Sequence, residues 1–330
     1  MDQKIDKKVV MAIETSCDDT SIAILRNDIV ISQITHSQIE NHNKFGGIIP
    51  ELAARLHSKN IFNLIIEALK DCSLNLKDLD SIIVTEGPGL INTLQVGFLV
   101  AKSLAYALNI KCFKANHLIG HAYSPFINES INKIPNKAIT LIISGGHTII
   151  AIKKNHNFEI IGSTRDDAIG EVYDKVARML GFEYPGGPII DKIAFENNNR
   201  NFFNAPITNL EGFDFSYSGL KSWVLNHKYE NKEELLSSFQ NVAIEQLIIK
   251  IKKAIIKYNL KYLIIGGGVS ANRYLRQNIK KMNQIYSYIP KKIYAVDNAA
   301  MIGNLFFKSK KNIKEVKLTD DVKPNLLMET

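Results

Sequence analysis

Val9-Val10-Met11-Ala12-Ile13 runs into Glu14-Thr15-Ser16-Cys17-Asp18-Asp19-Thr20 and leaves through Ser21-Ile22-Ala23-Ile24-Leu25. The same grammar returns at Ile139-Thr140-Leu141-Ile142-Ile143, Ser144-Gly145-Gly146-His147-Thr148 and Ile149-Ile150-Ala151-Ile152. Each is a strand rich in β-branched residues, a tight turn of hydroxyl, glycine or acidic residues, and a returning strand. A hairpin tip of this composition offers free backbone N–H groups and short hydroxyls, which suit a phosphate. Two such tips in the two halves of one chain predict a duplicated α/β architecture that closes on a nucleotide.

With 330 residues, the chain is long enough for two domains that each bury a core. A hydrophobic share of 45% and a charged share of 22% are ordinary for a globular protein. The apolar runs are broken short of the ~20 residues of a membrane helix, so no membrane association is expected. Met1 to Lys8 carries acids and no apolar core, which argues against a signal or transit peptide and for the cytoplasm. Cys17, Cys72 and Cys112 are isolated and form no C-x-x-C, so neither disulfides nor a zinc ribbon are expected. A net charge of +8 permits a polyanionic partner without demanding one. The lysines of Lys250 to Lys253 and Lys308 to Lys311 read as solvated helix faces.

Between the two hairpins, an amphipathic helix is expected from Glu51 to Leu69, with Leu52, Ala53, Leu56, Asn60, Ile61, Leu64, Ile65 and Ala68 mostly on one face. A buried strand Ile82-Ile83-Val84 then feeds Gly87-Pro88-Gly89 and a long apolar helix from Leu90 to Leu108. The second half repeats the pattern. It has a helix from Ile169 to Leu180, an irregular insert from Asn197 to Leu220, a helix from Lys232 to Tyr258 and a strand Tyr262-Leu263-Ile264-Ile265 before Gly266-Gly267-Gly268. A strand Ile293-Tyr294-Ala295-Val296 is expected to end at Asp297, ahead of a last helix and an irregular tail from Ile313.

His117 and His121 stand four residues apart, which on a helix places both imidazoles on one face, either as metal ligands or as a solvated pair. The H-E-x-x-H peptidase reading fails because Leu118 stands where the general-base Glu is needed. Gly266 to Ala271 matches G-x-G-x-x-A formally, but Asn272 to Val296 contains no Asp or Glu to hold a ribose. That stretch reads better as a glycine turn letting a helix N-terminus approach a nucleotide, with Ser270 or Asn272 as polar contacts. Asp297 is either a helix N-cap or a metal or phosphate ligand at a strand end. Glu14, Asp18 and Asp19 crowd one tip, which is costly unless they face a cation or a donor. Trp223 reads as a packing residue.

Glu14-Thr15-Ser16-Cys17-Asp18, Gly47 to Ala53, Gly87-Pro88-Gly89-Leu90, His117 to His121, Ser144 to Thr148, Tyr184 to Pro188, Ser218 to Lys221, Gly267 to Arg273 and Asp297-Asn298 follow one another in order. This series resembles the tRNA N6-adenosine threonylcarbamoyltransferase family of the bacterial TsaD type, formerly described as O-sialoglycoprotein endopeptidases, over residues 8 to 310. The resemblance implies a two-lobed actin/Hsp70/sugar-kinase fold around a nucleotide cleft, with residues 1–135 plus 297–330 as one lobe and 136–296 as the other. It implies transfer of threonylcarbamoyl from threonylcarbamoyl-AMP to N6 of adenosine 37 in tRNAs that read codons beginning with A. It also implies one divalent metal, Fe2+ or Zn2+, on His117, His121 and Asp297. The implied adenylate contacts are Ile142, Ile143, Ser144, Gly145, Gly146, Asp174, Gly187, Asp191 and Asn272. Implied partners are the tRNA anticodon arm, a smaller paralogue (TsaB type) on the first lobe, an ATPase subunit (TsaE type) and a separate synthase. Glu14 or Asp18 is the candidate acid for positioning or accepting the amine proton. Asp19 replaces a frequent Glu and Asn116 a frequent His. The competing expectations are an ATP-dependent kinase or ATPase of the same fold, and a nucleotide-binding assembly subunit without chemistry.

Overall fold

A computed structural model describes residues 8–208 and 210–328. Residues 1–7, most of the N-terminal stretch read above, lie outside the described residues. The chain divides into two compact units, residues 1–134 with 297–328 and residues 135–296, so that Pro135 opens the second unit.

The first unit begins with the antiparallel meander β1 (Val9–Glu14), β2 (Asp19–Arg26) and β3 (Ile29–Ser37). The short helix α1 (Ile39–Asn43) and α2 (Pro50–Asp71) follow, then β4 (Ser81–Gly87), α3 (Ile91–Leu108), β5 (Lys111–Asn116) and α4 (His117–Tyr123). The second unit repeats the plan: the meander β6 (Lys137–Ile143), β7 (Thr148–Lys154) and β8 (Asn157–Ser163). Then come α5 (Ile169–Met179), α6 (Gly186–Glu196), α7 (Ser218–Asn226), α8 (Lys232–Tyr258), β9 (Tyr262–Gly266), α9 (Arg273–Lys280) and β10 (Tyr286–Tyr288). The chain re-enters the first unit through α10 (Ala299–Lys308) and β11 (Ile313–Glu315).

The strand order β3-β2-β1-β4-β5 of the first sheet recurs as β8-β7-β6-β9-β10 in the second, and β11 adds an edge to the first. In each, the meander's first strand pairs in parallel with the strand that follows the first long helix. These central strands are covered on both faces, which is why β1 and β4 are buried along their whole length and read as unbroken apolar runs.

The helix α2 starts on Pro50 and buries Ala53, His57, Ile61, Leu64, Ile65, Ala68 and Leu69, so the core stripe runs through His57 where Leu56 and Asn60 were expected. The histidine is tolerated there because Thr20 Oγ1 meets its Nδ1 at 2.7 Å and its Nε2 meets the Cys17 carbonyl at 2.9 Å. By length and composition alone α3 could cross a membrane, contrary to the reading of its run. Its Thr93, Leu94, Gly97, Phe98, Ala101 and Ala105 are nonetheless buried within the first unit.

Two expected elements differ. Ile293 to Val296 forms no strand: Lys292–Tyr294 is a single 3-10 turn, and the strand lies earlier, where Tyr286, Ser287 and Tyr288 pair in parallel with Tyr262, Leu263 and Ile264. Four apolar residues behind Pro290-Lys291-Lys292 carried too little pattern to place it. The tail is not irregular throughout, since Ile313–Glu315 pairs antiparallel with β5, and the Lys323 N–H and Pro324 carbonyl bond to Glu86 and Gly89.

Helix α10 packs across β1 and β2 at Gly303, where a Cβ would run into Leu25 and lie 3.1 Å from the Ala12 Cβ. Gly303→Ala is therefore expected to cost about 1–3 kcal/mol through overpacking, read as a lower urea midpoint. An unchanged midpoint would mean that the helix has room to withdraw.

Candidate metal and adenylate sites

Helix α4 starts where β5 ends, and Asn116 caps it by accepting from Leu118 N at 2.8 Å and Ile119 N at 3.1 Å. The cap fixes the first turn and, with it, His117 and His121 on one face, their rings edge to face with centroids 4.6 Å apart. Both are buried. Asp297 arrives just before α10, with its Oδ1 3.0 Å from His121 Nε2 and 3.5 Å from His117 Nε2. The N-cap of α10 is the next residue, Asn298, whose side chain accepts from Met301 N at 3.0 Å. The capping alternative for Asp297 is thereby removed.

One ligand atom from each of His117, His121 and Asp297 lies within 4.8 Å of the others. A first-row ion with bonds of about 2 Å fits donors so spaced, and nitrogen, nitrogen and oxygen are a donor set for Zn2+ or Fe2+. The His121 Nδ1 is buried without a hydrogen-bond partner. The carboxylate of Glu14 holds the other imidazole. Its Oε2 lies 3.1 Å from His117 Nδ1 and accepts from Thr85 Oγ1, and its Oε1 accepts from Ser16 N at 2.6 Å. A carboxylate behind a histidine sets the tautomer that leaves Nε2 for a metal.

Glu14, one of the two acids named for positioning or accepting the amine proton, is fully buried with both oxygens engaged, one of them beside His117 Nδ1. Asp18 remains partly exposed on the tip. The first tip as a whole is not a phosphate cradle. Ser16 N is spent on Glu14, and Thr15 and Ser16 are buried, Thr15 Oγ1 donating to the Thr93 carbonyl at 2.9 Å. Asp19 is driven up to about 7 by burial, with the neighbouring Asp18 charge adding to it.

The second tip is different. Gly145 and Gly146 are exposed, and neither N–H has a hydrogen-bond partner among the described residues. Close packing holds this tip from beneath. A Cβ on Gly170, at the start of α5, would lie 2.5 Å from the Ser144 carbonyl oxygen, and Gly267, at φ +92, packs on the Ile143 backbone. Ile142 and Ile143 are the buried end of β6. Asp174 accepts from Gly186 N at 2.8 Å, and Gly187 beside it faces open space. Asp191 is bound by Arg273, with N at 3.1 Å and Nε at 2.8 Å. Asn272 caps α9 through Leu275 N at 2.9 Å and donates to Gln240 at 2.9 Å. Gln240, fully buried, also meets Tyr173, Asn199 and Asp191, and the sequence reading missed it. The available signal was a polar residue between Phe239 and Ala243 on the core side of α8.

The TsaD family model, tRNA N6-adenosine threonylcarbamoyltransferase, matches residues 29–304. A Staphylococcus aureus (strain JH9) protein named tRNA N6-adenosine threonylcarbamoyltransferase is 42% identical over 308 residues, 89% of each chain. The chain belongs to this family. It is a transferase that modifies tRNA, forming threonylcarbamoyladenosine. Two solved structures show the actin/Hsp70/sugar-kinase fold class. HypF of T. kodakarensis has a TM-score of 0.60 at 14% identity, covering 93% of this chain and 49% of that one. Component A of the Acidaminococcus fermentans (R)-2-hydroxyglutaryl-CoA dehydratase has a TM-score of 0.54 at 14% identity, covering 90% and 96%.

In the metal-free protein, burial opposes the charge on His117, but the Glu14 and Asp297 carboxylates outweigh it and push the imidazole up to about 9. Burial likewise opposes the Glu14 charge, and the facing His117 outweighs it and holds the carboxyl below its ordinary 4.5. Burial keeps His121 below its ordinary value. A raised histidine pKa contributes stability that is complete below its unfolded value of 6.5 and fades as pH rises through about 9. A lowered carboxylate pKa contributes stability that is complete above 4.5 and fades as pH falls through its folded value. Metal-free protein should therefore lose urea stability between pH 6.5 and 9, and Glu14→Gln should flatten that slope. Parallel slopes for the two proteins would show that Glu14 does not charge His117.

Proposed function

We propose that this chain moves threonylcarbamoyl from threonylcarbamoyl-AMP to N6 of adenosine 37 in tRNAs reading codons that begin with A, and that it does so as a metal-dependent enzyme of the cytoplasm, where tRNA is modified. The observation that carries the metal reading is the convergence of His117, His121 and Asp297 with Glu14 behind His117. These three residues would hold one divalent ion, Fe2+ foremost and Zn2+ as the alternative, which supplies Lewis-acid polarisation of a carbamoyl or phosphate oxygen.

An adenine amine is a weak nucleophile because its lone pair is delocalised into the ring. In the reaction N6 bonds to the carbamoyl carbon, the bond from that carbon to the phosphate oxygen breaks with its electron pair, and N6 loses one proton. The free N–H groups of Gly145 and Gly146 offer fixed donors to a phosphoryl or carbamoyl oxygen. Asp174 and Asp191 are candidates for the ribose hydroxyls, while Asn272 and the open space at Gly187 receive the adenosine end. Asp18, the partly exposed acid of the first tip, is the candidate to hold the amine proton.

The deciding experiment supplies threonylcarbamoyl-AMP and unmodified tRNA to the chain with its partners and follows modified adenosine, with ATP as the control donor. Asp297→Ala should lose bound metal and lower transfer at least about 100-fold, since a three-ligand site has no redundancy. Gly187→Leu should raise the donor KM without lowering the unfolding midpoint, because its side chain enters open space. Phosphoryl transfer from ATP in place of carbamoyl transfer, or full metal content in Asp297→Ala, would overturn the assignment.

Turnover is proposed to need the smaller paralogue (TsaB type) and the ATPase subunit (TsaE type). Support comes from the apolar face of α2 and α3 in the first unit. Phe62, Ile66, Leu99 and Tyr106 are 54%, 62%, 65% and 81% exposed there, and Ile61, Phe62, Val96, Leu99 and Val100 line a groove. Leu99→Glu should abolish co-purification with the paralogue and multiple turnover while leaving AMP binding intact. Pairing that survives this substitution would place the partner elsewhere.

A further inference from the structure

The stretch from Asn272 to Val296 holds no acidic residue, in a chain with 33 acids among 330 residues, and carries Arg273, Arg276, Lys280, Lys281, Lys291 and Lys292. Its two arginines are spent inside the unit. Arg273 pairs with Asp191, and Arg276 donates to the Ser270 and Pro290 carbonyls. The four lysines are exposed, as is Lys261 at the foot of β9, and no carboxylate forms an ion pair with any of the five among the described residues. Between them lies a ladder of tyrosines. Tyr286 on the edge strand β10 stands in register with Tyr262 on β9, and their rings stack with centroids 5.4 Å apart at 30°. Tyr288, two residues on and therefore on the same sheet face, stacks on Tyr262 at 6.4 Å and 27°. Tyr286 is 62% exposed.

One lysine of each run noted in the sequence is put to another use. Lys250 is buried and donates to the Leu210 and Gly212 carbonyls, pinning the insert to α8, and Lys308 is buried on Asp28 and the Glu129 carbonyl. The other lysines of these runs, Lys252, Lys253, Lys310 and Lys311, are exposed, as the solvated-face reading has it. The β9–β10 edge is a basic face. Lysine alone suffices to keep an edge strand from pairing with another chain. That duty gives no reason to leave stacked rings open to solvent. Unpaired bases stack on such rings while lysines follow the phosphates, and an anticodon loop consists of unpaired bases on a bent backbone.

We propose that this edge, made of Lys261, Tyr262, Tyr286 and the lysines at 280, 281, 291 and 292, binds the single-stranded anticodon loop of the tRNA substrate. The proposal rests on the tRNA-modifying function.

The test uses the full chain and an unmodified anticodon stem-loop RNA, with affinity read by fluorescence anisotropy across a salt series. Replacing Lys280, Lys281, Lys291 and Lys292 together by Ala should weaken binding about tenfold or more and make the log–log salt slope shallower by about two. Tyr286→Ala should weaken binding about fivefold with the slope unchanged, since stacking releases no counterions. Urea midpoints equal to wild type show that either loss is local. Wild-type affinity and slope in the fourfold variant overturn the surface, and wild-type affinity in Tyr286→Ala overturns the stacking contact. A wild-type chain that binds no RNA overturns the functional reading and the surface with it, which separates the two failures.

Discussion

The carboxylate of Glu14 is the constraint on which the first unit's chemistry depends. It sits at the end of β1 without solvent, and such a charge is tolerated only when every lone pair is matched. Ser16 N, Thr85 Oγ1 and His117 Nδ1 match it, drawing the tip after β1, the end of β4 and the start of α4 to one point. Three elements far apart in sequence are thereby fixed by one group. The imidazole they fix turns its Nε2 toward Asp297. The buried charge thus contributes specificity of arrangement more than net stability, because its desolvation offsets much of what its partners supply.

The same strand order in the second unit serves another end by removing charge from the tip. Gly145 and Gly146 contribute no side chain, and their N–H groups stay available because the acid that consumes Ser16 N in the first tip has no counterpart here. Rigidity comes instead from backbone against backbone, where Gly170 and Gly267 let α5 and the turn after β9 press on the end of β6. Behind this, Gln240 ties Asn272 to Tyr173 and Asn199, so that the cap of α9 is joined to the interior of α8.

Much of this was legible in the sequence, for physical reasons. The duplicated meander could be read because buried central strands are continuous apolar runs. The pairing of His117 with His121 could be read because helical spacing is regular. Asp297 could not be decided from sequence, since N-cap and ligand use the same residue at the same junction. The hydrogen bond from Met301 N to Asn298 Oδ1 removes the N-cap reading, since it makes the next residue the cap. That Glu14 is the acid turned inward was not legible, because a composition of acids at a tip says nothing about which of them points inward. Tyr286–Tyr288 was missed as a strand because three residues carry no periodicity, and their pairing with Tyr262 is a tertiary fact.

Duplication followed by divergence accounts for where the two chemistries fall. In both units the meander's tip meets the strand that pairs beside it in parallel, so any residue placed at that junction is held by the sheet itself rather than by a loop. An acid at the junction organises cations, and here it governs a histidine that the next strand delivers through a capped helix. Glycine at the equivalent junction exposes backbone donors to an anion. One topology therefore presents a buried His–Asp cluster in one copy and a turn with free backbone donors in the other. The difference is confined to the residues of the tip and the single helix end set against each, while the strands that carry them keep the same order.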